Sequence, residues 1–182
     1  MRKSEMSRRT RETDIEISLV LDGNGEADIE CEDQFLRHML ETLAKYASFD
    51  LSVSAFGDND HHLIEDVAIV LGMALRDAMG DNPIRRTSHA MVPMDDALVT
   101  VAVDLIDRPY VDVECPDALY IHFFRSFAMS SNITIHSIHQ RGFDEHHVVE
   151  ATFKALGLAL KEALAPRDEL LSTKDAPDTR RS

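Results

Sequence analysis

Cysteine, basic residues and long apolar runs are all scarce in this 182-residue chain, and each shortage excludes a class of protein. Cys31 and Cys115 are the only cysteines and form no CxxC motif, so the sequence predicts no disulfide framework and a reduced, cytoplasmic setting. No apolar run approaches the ~20 residues of a membrane-spanning helix. The basic opening segment lacks a hydrophobic core, so we expect neither a secretory signal nor a membrane partner.

The charge balance argues against a general nucleic-acid binder. Nineteen Lys and Arg face thirty-three Asp and Glu, which gives a formal net charge of -14, whereas binding to phosphate backbones needs a basic surface. A few local cations could still hold one small anion. With 44% hydrophobic residues, the chain is expected to be globular and to bury one sizeable core or two fused ones.

Two short segments repeat one pattern, in which two adjacent histidines are followed three residues later by a glutamate. They are residues 61–65 (HHLIE) and 146–150 (HHVVE). If each segment opens a helix, its glutamate shares a face with both histidines. The adjacent histidines diverge by about 100°, so each pair is predicted to serve two different metal sites. Imidazole and carboxylate suit manganese, iron or zinc; the alternative is two solvated helix starts that contain histidine.

Each half of the chain gives the same predicted order of strand, strand, helix, strand and helix. The spacing is nearly constant, at 85 residues from His61 to His146 and 83 from Asp14 to Ala97. We therefore predict an α+β fold, a single domain built by tandem duplication of a β-β-α-β-α unit over residues of about 9–80 and 93–165. Two sheets should form, with the helices packed on one side of them.

Three segments frame this duplication. Residues 1 to about 8 are interpreted as a disordered or interface-docked arm, and residues 81–96 as a linker rich in proline and polar side chains. The Asp22-Gly23-Asn24-Gly25 turn is typical of a β-hairpin, so the first two predicted strands are expected to pair directly.

Two further histidines break the duplication. His38 lies in the first predicted helix, where the equivalent position of the second half holds Phe123, and His136 lies in a strand, where the equivalent position of the first half holds Ser54. The sum is six histidines and two glutamates, or three histidines and one glutamate for each of two ions. Four ligands would leave two positions open on a six-coordinate ion, as in a catalytic site. The other histidines, His89, His122 and His139, stay outside this set.

Nine ordered motifs then carry a family resemblance over nearly the whole chain. They are RTRET (9–13), LDGNG (21–25), FLRHML (35–40), HHLIE (61–65), PMDDAL (93–98), DRPY (107–110), HFFRSFA (122–128), HHVVEATFKAL (146–156) and STK (172–174). On these motifs the chain resembles the imidazoleglycerol-phosphate dehydratases of histidine biosynthesis. It departs from them in a loop about three residues shorter before His61 and in Tyr46, where many members have histidine.

The resemblance implies a hydro-lyase that converts D-erythro-imidazoleglycerol phosphate to imidazole-acetol phosphate. It also implies the ribosomal protein S5 domain 2-like fold, two manganese ions per site, and a 24-subunit homo-oligomer with active sites between subunits. The implied metal ligands are His38, His61, His62, Glu65, His136, His146, His147 and Glu150. The implied phosphate ligands are Arg86, Arg108, Lys154, Ser172 and Lys174, the last two in a substrate-binding tail over residues 166–182.

The chemistry expected of such a site is proton transfer beside a metal-bound imidazole. A metal on a ring nitrogen favours the imidazolate, whose electrons can expel the neighbouring hydroxyl. Glutamate is a suitable proton carrier; Glu12 is the main candidate, with Glu65 and Glu150 beside it. Glu12 could instead close a neighbouring subunit's site by ion pairing. Two other functions stay open, a dinuclear metal phosphohydrolase and a non-catalytic oligomer that metal holds together.

Overall fold

The computed structural model describes residues 1–169 and 171 of the chain, which form two four-stranded sheets and four helices. Each half contributes one sheet and two helices, in the order strand, strand, strand, helix, strand, helix. The first half contains β1 (Lys3–Arg9), β2 (Thr13–Val20), β3 (Ala27–Cys31), α1 (Gln34–Ala47), β4 (Asp50–Gly57) and α2 (Asp60–Met79). The second contains β5 (Thr87–Met94), β6 (Ala97–Asp104), β7 (Tyr110–Val113), α3 (Ala118–Ser131), β8 (Thr134–Arg141) and α4 (Glu145–Ala163).

The two sheets share one topology. Their strand orders are β1-β2-β4-β3 and β5-β6-β8-β7, and in each the inner pair is antiparallel while the last pair is parallel. Strand β2 buries every second side chain, among them Ile15, Ile17 and Leu19. This alternation is the pattern of a sheet with one covered face, as the sequence predicts.

All four helices lie between the two sheets. Helix α2 packs on β1 and β2 and α1 on β3, while α4 packs on β5 and β6 and α3 on β7. The helices also meet in pairs across the halves, α2 with α3 and α1 with α4. The buried side chains therefore form one core, and the predicted α+β duplication with helices on one side of each sheet is confirmed.

A glycine brings each helix pair close together. A Cβ atom at Gly72 in α2 would lie 2.7 Å from the carbonyl oxygen of Phe127 in α3, and one at Gly157 in α4 would lie 2.8 Å from Cβ of Tyr46 in α1. No other residue fits these crossings without displacing a neighbour. The Gly157 contact matters for the site because α1 and α4 together carry five of its predicted residues, which are His38, His146, His147, Glu150 and Lys154.

Each half has one more strand than the sequence predicted. The sequence predicts an arm over residues 1 to about 8, but residues 3–9 form β1 and pair with β2 along its length. Residues 87–94 were interpreted as linker, but they form β5 and pair with β6. Both strands lie at a sheet edge, where charged side chains and Pro93 are tolerated because one row of backbone groups needs no partner.

The predicted hairpin is also wrong, because β4 lies between β2 and β3. Asp50, at the start of β4, explains the path of the connecting turn. Its Oδ1 atom accepts hydrogen bonds from the backbone N–H groups of Asn24 (2.7 Å) and Glu26 (3.1 Å). The turn is thus fastened to the inserted strand.

Both histidine pairs lie in the first turn of a helix, as predicted. Asn59 caps α2 by accepting a hydrogen bond from the backbone N–H of His62, and Asp144 caps α4 by accepting from His146 and His147. Side-chain acceptors of this kind satisfy the free donors at helix starts. Among the described residues, no helix combines the length and apolar character that crossing a membrane would require.

Candidate metal centre

His38, His146 and Glu150 form a compact group of possible metal ligands where α1 meets α4. The Oε2 atom of Glu150 lies 3.3 Å from Nε2 of His38 and 3.2 Å from Nε2 of His146. Two donors about 2.1 Å from one ion and at right angles are about 3 Å apart. The spacing therefore suits neighbouring positions on one octahedral ion. Glu150 is buried, with 8% of its side chain exposed, whereas the two histidines are about half exposed.

Glu150 is held as an anion. Burial favours its neutral form, but hydrogen bonds from Lys154 and His38 outweigh this effect, and the pKa of Glu150 is lowered. Lys154 Nζ lies 2.9 Å from Oε1, the oxygen that faces away from the histidines. One carboxylate oxygen is thus neutralised by lysine while the other faces the imidazoles, an arrangement that suits a carboxylate ligand better than a proton donor.

A second group, of the same residue types, lies where α2 meets α3. His61 Nε2 is 3.9 Å from Oε2 of Glu65, and the His61 ring centroid is 5.2 Å from that of His122. In the first group the ring centroids of His38 and His146 are 6.0 Å apart. The ring of His122 thus lies beside that of His61, as the ring of His38 lies beside that of His146, with interplanar angles of 67° and 30°.

His122 is the structural counterpart of His38, so the sequence match of His38 to Phe123 is wrong. Helix α1 begins at Gln34 and α3 at Ala118, an offset of 84 residues. The offset of 85 holds only for α2 and α4, which begin at 60 and 145. A one-residue error turns a helix position by about 100°, and Phe123 accordingly lies fully buried in the core.

The 84-residue offset also holds between β4 and β8, so the counterpart of His136 in the first half is Ser52 and not Ser54. The structure puts His136 on β8 with its side chain exposed, and its ring centroid lies 5.2 Å from that of Tyr110. Among the described residues, His136 belongs to neither histidine–glutamate group. Aligning the apolar periods of α1 and α3, such as Met39 with Phe123, would have identified His122 from the sequence.

The second histidine of each pair faces a different set of side chains. His62 Nδ1 lies 2.8 Å from Oδ1 of Asp58 and 3.6 Å from Oε2 of Glu12. His147 Nδ1 lies 2.7 Å from Oδ1 of Asp96. A hydrogen bond to Asp58 raises the pKa of His62, and one to Asp96 raises the pKa of His147. The sequence interpretation had assigned no role to either aspartate.

The predicted phosphate ligands are spread over the subunit. Lys154 lies beside Glu150 and 5.7 Å from the ring centroid of Tyr46. Arg86 makes a two-pronged contact with Asp104, at 2.7 and 3.0 Å. Arg108 precedes β7, and its carbonyl accepts a hydrogen bond from Thr134. Ser172 and Lys174 lie outside the described residues.

Arg86 is far from Glu150 within one subunit. Its backbone N–H donates to the carbonyl of Ala163 at the last turn of α4 (2.8 Å), whereas His146 and Glu150 lie in the first turns of that helix. At 1.5 Å per residue, Glu150 and Ala163 are about 20 Å apart. The fold therefore does not bring this arginine to the histidine–glutamate group of the same chain.

Comparison with known proteins gives a consistent result. The family model described as imidazoleglycerol-phosphate dehydratase matches residues 32–160. The curated protein of that name from Methanothermobacter thermautotrophicus is 46% identical, over 96% of this chain and 97% of its own. The protein of the same name from Bacillus subtilis is 43% identical, over 90% and 91%.

Solved structures agree. The IGPD structure from Pyrococcus furiosus has a TM-score of 0.81 and 37% identity, and covers 93% of this chain and 98% of its own. The imidazoleglycerol-phosphate dehydratase structure from Staphylococcus aureus has a TM-score of 0.80 and 31% identity, over 91% and 99%. These matches confirm the family and the enzyme class that the motifs predicted.

Proposed function

Because the chain belongs to the imidazoleglycerol-phosphate dehydratase family, we propose that it dehydrates D-erythro-imidazoleglycerol phosphate to imidazole-acetol phosphate in histidine biosynthesis. The observation that carries this proposal is the pair of histidine–glutamate groups at equivalent helix crossings. An imidazole substrate has two ring nitrogens, and two metal ions, one held by each group, could bind one nitrogen each.

The donors of both groups suit a divalent ion of intermediate hardness, and we assign Mn²⁺ to each. One ion would be held by His38, His146 and Glu150, and the other by His61, Glu65 and His122. His122 takes the place that the sequence gave to His136. The second histidines of the pairs, His62 and His147, would complete the sites from neighbouring subunits. When bound, the ions supply the Lewis acid that favours the anionic form of the substrate ring.

The remaining residues of the site handle protons and charge. Glu12 lies in the loop between β1 and β2, and 56% of its side chain is exposed, so its carboxylate is free to meet substrate. Hydroxide leaves the substrate carbon that is bonded to the imidazole ring. We assign to Glu12 the removal of the proton from the next carbon of the glycerol chain. Glu65 and Glu150 act as carboxylate ligands. We assign Lys154, which lies beside Glu150, to attraction of the substrate phosphate.

The position of Arg86 supports active sites shared between subunits. The imidazole and phosphate of the substrate are separated by about 8 Å at ordinary bond lengths, whereas Arg86 and Glu150 of one subunit are separated by about 20 Å along α4. If Arg86 and Arg108 hold phosphate, they do so for the metal group of another subunit. This supports a homo-oligomer, with 24 subunits as the family resemblance implies.

One incubation tests the activity and separates it from its two rivals. The manganese-loaded protein is given imidazoleglycerol phosphate, and ketone and inorganic phosphate are both assayed. Dehydration gives ketone with the phosphate retained. A phosphohydrolase would release inorganic phosphate, and an oligomer that metal merely holds together would give neither product. His62→Ala should abolish ketone formation, whereas His89→Ala, a change at an exposed histidine of β5, should not.

Metal analysis tests the assignment of ligands. His122→Ala should lower the manganese content from two ions per subunit toward one, because the affected site would keep only three of its four proposed donors. His136→Ala should retain two ions. The opposite pattern would return His136 to the ligand set and remove His122.

A further inference from the structure

Both second histidines of the pairs present the same ring nitrogen to a carboxylate. His62 Nδ1 lies 2.8 Å from Asp58, and His147 Nδ1 lies 2.7 Å from Asp96. The first histidines, by contrast, turn Nε2 toward the glutamate four residues later. In each pair, the first histidine is therefore oriented by a glutamate of its own helix and the second by an aspartate of a loop.

The two aspartates come from different places in the duplicated unit. Asp96 lies in the turn between β5 and β6, and its counterpart at the 84-residue offset is Glu12, between β1 and β2. Glu12 also faces His62, but at 3.6 Å. The closer contact is made by Asp58, from the short loop that leads into α2. In the first repeat, Asp58 thus takes the contact that the turn carboxylate makes in the second.

The surroundings of His62 Nδ1 indicate which tautomer the ring adopts. Besides Asp58, the side-chain nitrogen of Asn59 lies 2.8 Å from Nδ1. The amide oxygen of Asn59 is engaged with the backbone N–H of His62, and its nitrogen donates to Asp58 at 2.9 Å. The second hydrogen of this amide nitrogen attracts a lone pair on Nδ1, but the charged carboxylate of Asp58 repels that lone pair more strongly, because charge-assisted hydrogen bonds are the stronger ones. A proton on Nδ1, donated to Asp58, is therefore the favoured arrangement.

The carboxylates are themselves held in place. Asp96 accepts hydrogen bonds from the backbone N–H groups of Phe143 (2.5 Å) and Asp144 (3.2 Å). The backbone N–H of Asp58 donates to the carbonyl of Glu12 at 2.9 Å. The carboxylate of Asp96 is thus held by backbone donors, whereas Asp58 is held through its own backbone N–H and its carboxylate accepts from the side chain of Asn59.

We propose that Asp58 and Asp96 are positioning residues that hold His62 and His147 through Nδ1–H and so leave Nε2 as the metal donor. In the first repeat, Asp58 also leaves Glu12 free for substrate. The inference rests on the proposed function. Carboxylates that accept from a ligating histidine in this way commonly change metal affinity by about 10- to 100-fold.

Asp58 offers the cleaner test. Asp96 also accepts hydrogen bonds from the backbone of Phe143 and Asp144, so its replacement would disturb the loop that precedes α4. Manganese affinity of the whole protein is measured by competition with a chelator, and the ligand geometry by the visible absorption of the cobalt-loaded protein. Asp58→Ala should weaken manganese binding by about 10- to 100-fold and alter the cobalt spectrum. Asp58→Asn keeps an oxygen acceptor and should recover most of the affinity.

Two matched variants complete the design. Asp60→Asn removes a neighbouring charge from the first turn of α2 and should leave manganese affinity within about twofold. Glu12→Gln should also preserve affinity while lowering turnover. Circular dichroism and thermal unfolding verify that each variant folds.

The outcomes separate this inference from the proposed function. If the unaltered protein binds no manganese, the proposed function fails. If it binds manganese and Asp58→Ala binds equally well with an unchanged cobalt spectrum, only the positioning role is overturned. Equal losses in Asp58→Asn and Asp58→Ala would also overturn it, and so would a loss in Glu12→Gln as large as that in Asp58→Ala.

Discussion

Gly157→Ala should destabilise the protein and loosen the group formed by His38, His146 and Glu150. Gly157 lies in α4 where the helix crosses α1. The added Cβ would lie 2.8 Å from Cβ of Tyr46, 3.0 Å from the backbone nitrogen of Ala47 and 3.1 Å from the carbonyl oxygen of Leu43. Two of these three neighbours are backbone atoms, which cannot rotate away.

Two opposing effects set the size of the change. Alanine is favoured over glycine in a helix interior by about 1 kcal/mol. Overpacking of a tight contact costs about 1–3 kcal/mol, and the backbone neighbours put this crossing in the upper part of that range. The expected net loss is about 1–2 kcal/mol, which lowers the melting temperature by about 2–8 °C in a domain of this size.

The assay is thermal unfolding at fixed protein and metal concentration, together with manganese affinity. Lys161→Ala, at an exposed position of α4, is the matched control and should change stability by less than about 0.5 kcal/mol. Because α4 carries His146 and Glu150 while α1 carries His38, manganese affinity should fall with stability. A Gly157→Ala protein as stable as the unaltered one, with the same affinity, would refute the reasoning.

Three further predictions concern phosphate, pH and metal. Arg86→Ala should raise the KM for substrate at least about tenfold with manganese content unchanged, whereas Arg85→Ala, which removes a contact with Glu162, should leave KM unaltered; equal effects would refute the phosphate role. A hydrogen bond from Arg2 lowers the pKa of Asp22, so this contribution to stability is present above the ordinary pKa of 3.8 and is lost as pH falls through the folded value. Asp22→Asn should therefore lower the free energy of unfolding at pH 6 and not at pH 2, by no more than about 1 kcal/mol because the pair is partly exposed; a pH-independent difference would contradict this. Chelation of the metal should lower the melting temperature and added manganese should restore it, since an ion that binds only the folded protein stabilises it; melting that is independent of metal would argue against both ion sites.

The duplication could be predicted from the sequence because each buried strand or helix face requires apolar residues at a regular spacing, and the two halves show the same spacings in the same order. Strand β2 alternates, the helices repeat at 3.6 residues, and the histidine pairs stand at matching places. The edge strands β1 and β5 escaped prediction because they are polar or contain Pro93 and contribute little to the core. The insertion of β4 depends on contacts of Asp50 with a distant turn, which no local pattern encodes.

The site was predictable where residues share one helix turn and not where two elements meet. The pairing of His146 with Glu150 follows from helical spacing alone. His122 was missed because one extra residue before α4 shifts the offset between the halves, and histidines matched at 85 residues instead of 84 fall on different helix faces. Asp58 and Asp96 were missed because their role depends on loop geometry.

The most direct measurement is anomalous diffraction at the manganese edge from crystals of the loaded protein. Two anomalous peaks per subunit are expected. One should lie against His38, His146 and Glu150 and the other against His61, Glu65 and His122, each also contacted by Nε2 of a second-position histidine, His62 or His147, from a neighbouring subunit. A peak against His136, or only one peak per subunit, would contradict the account.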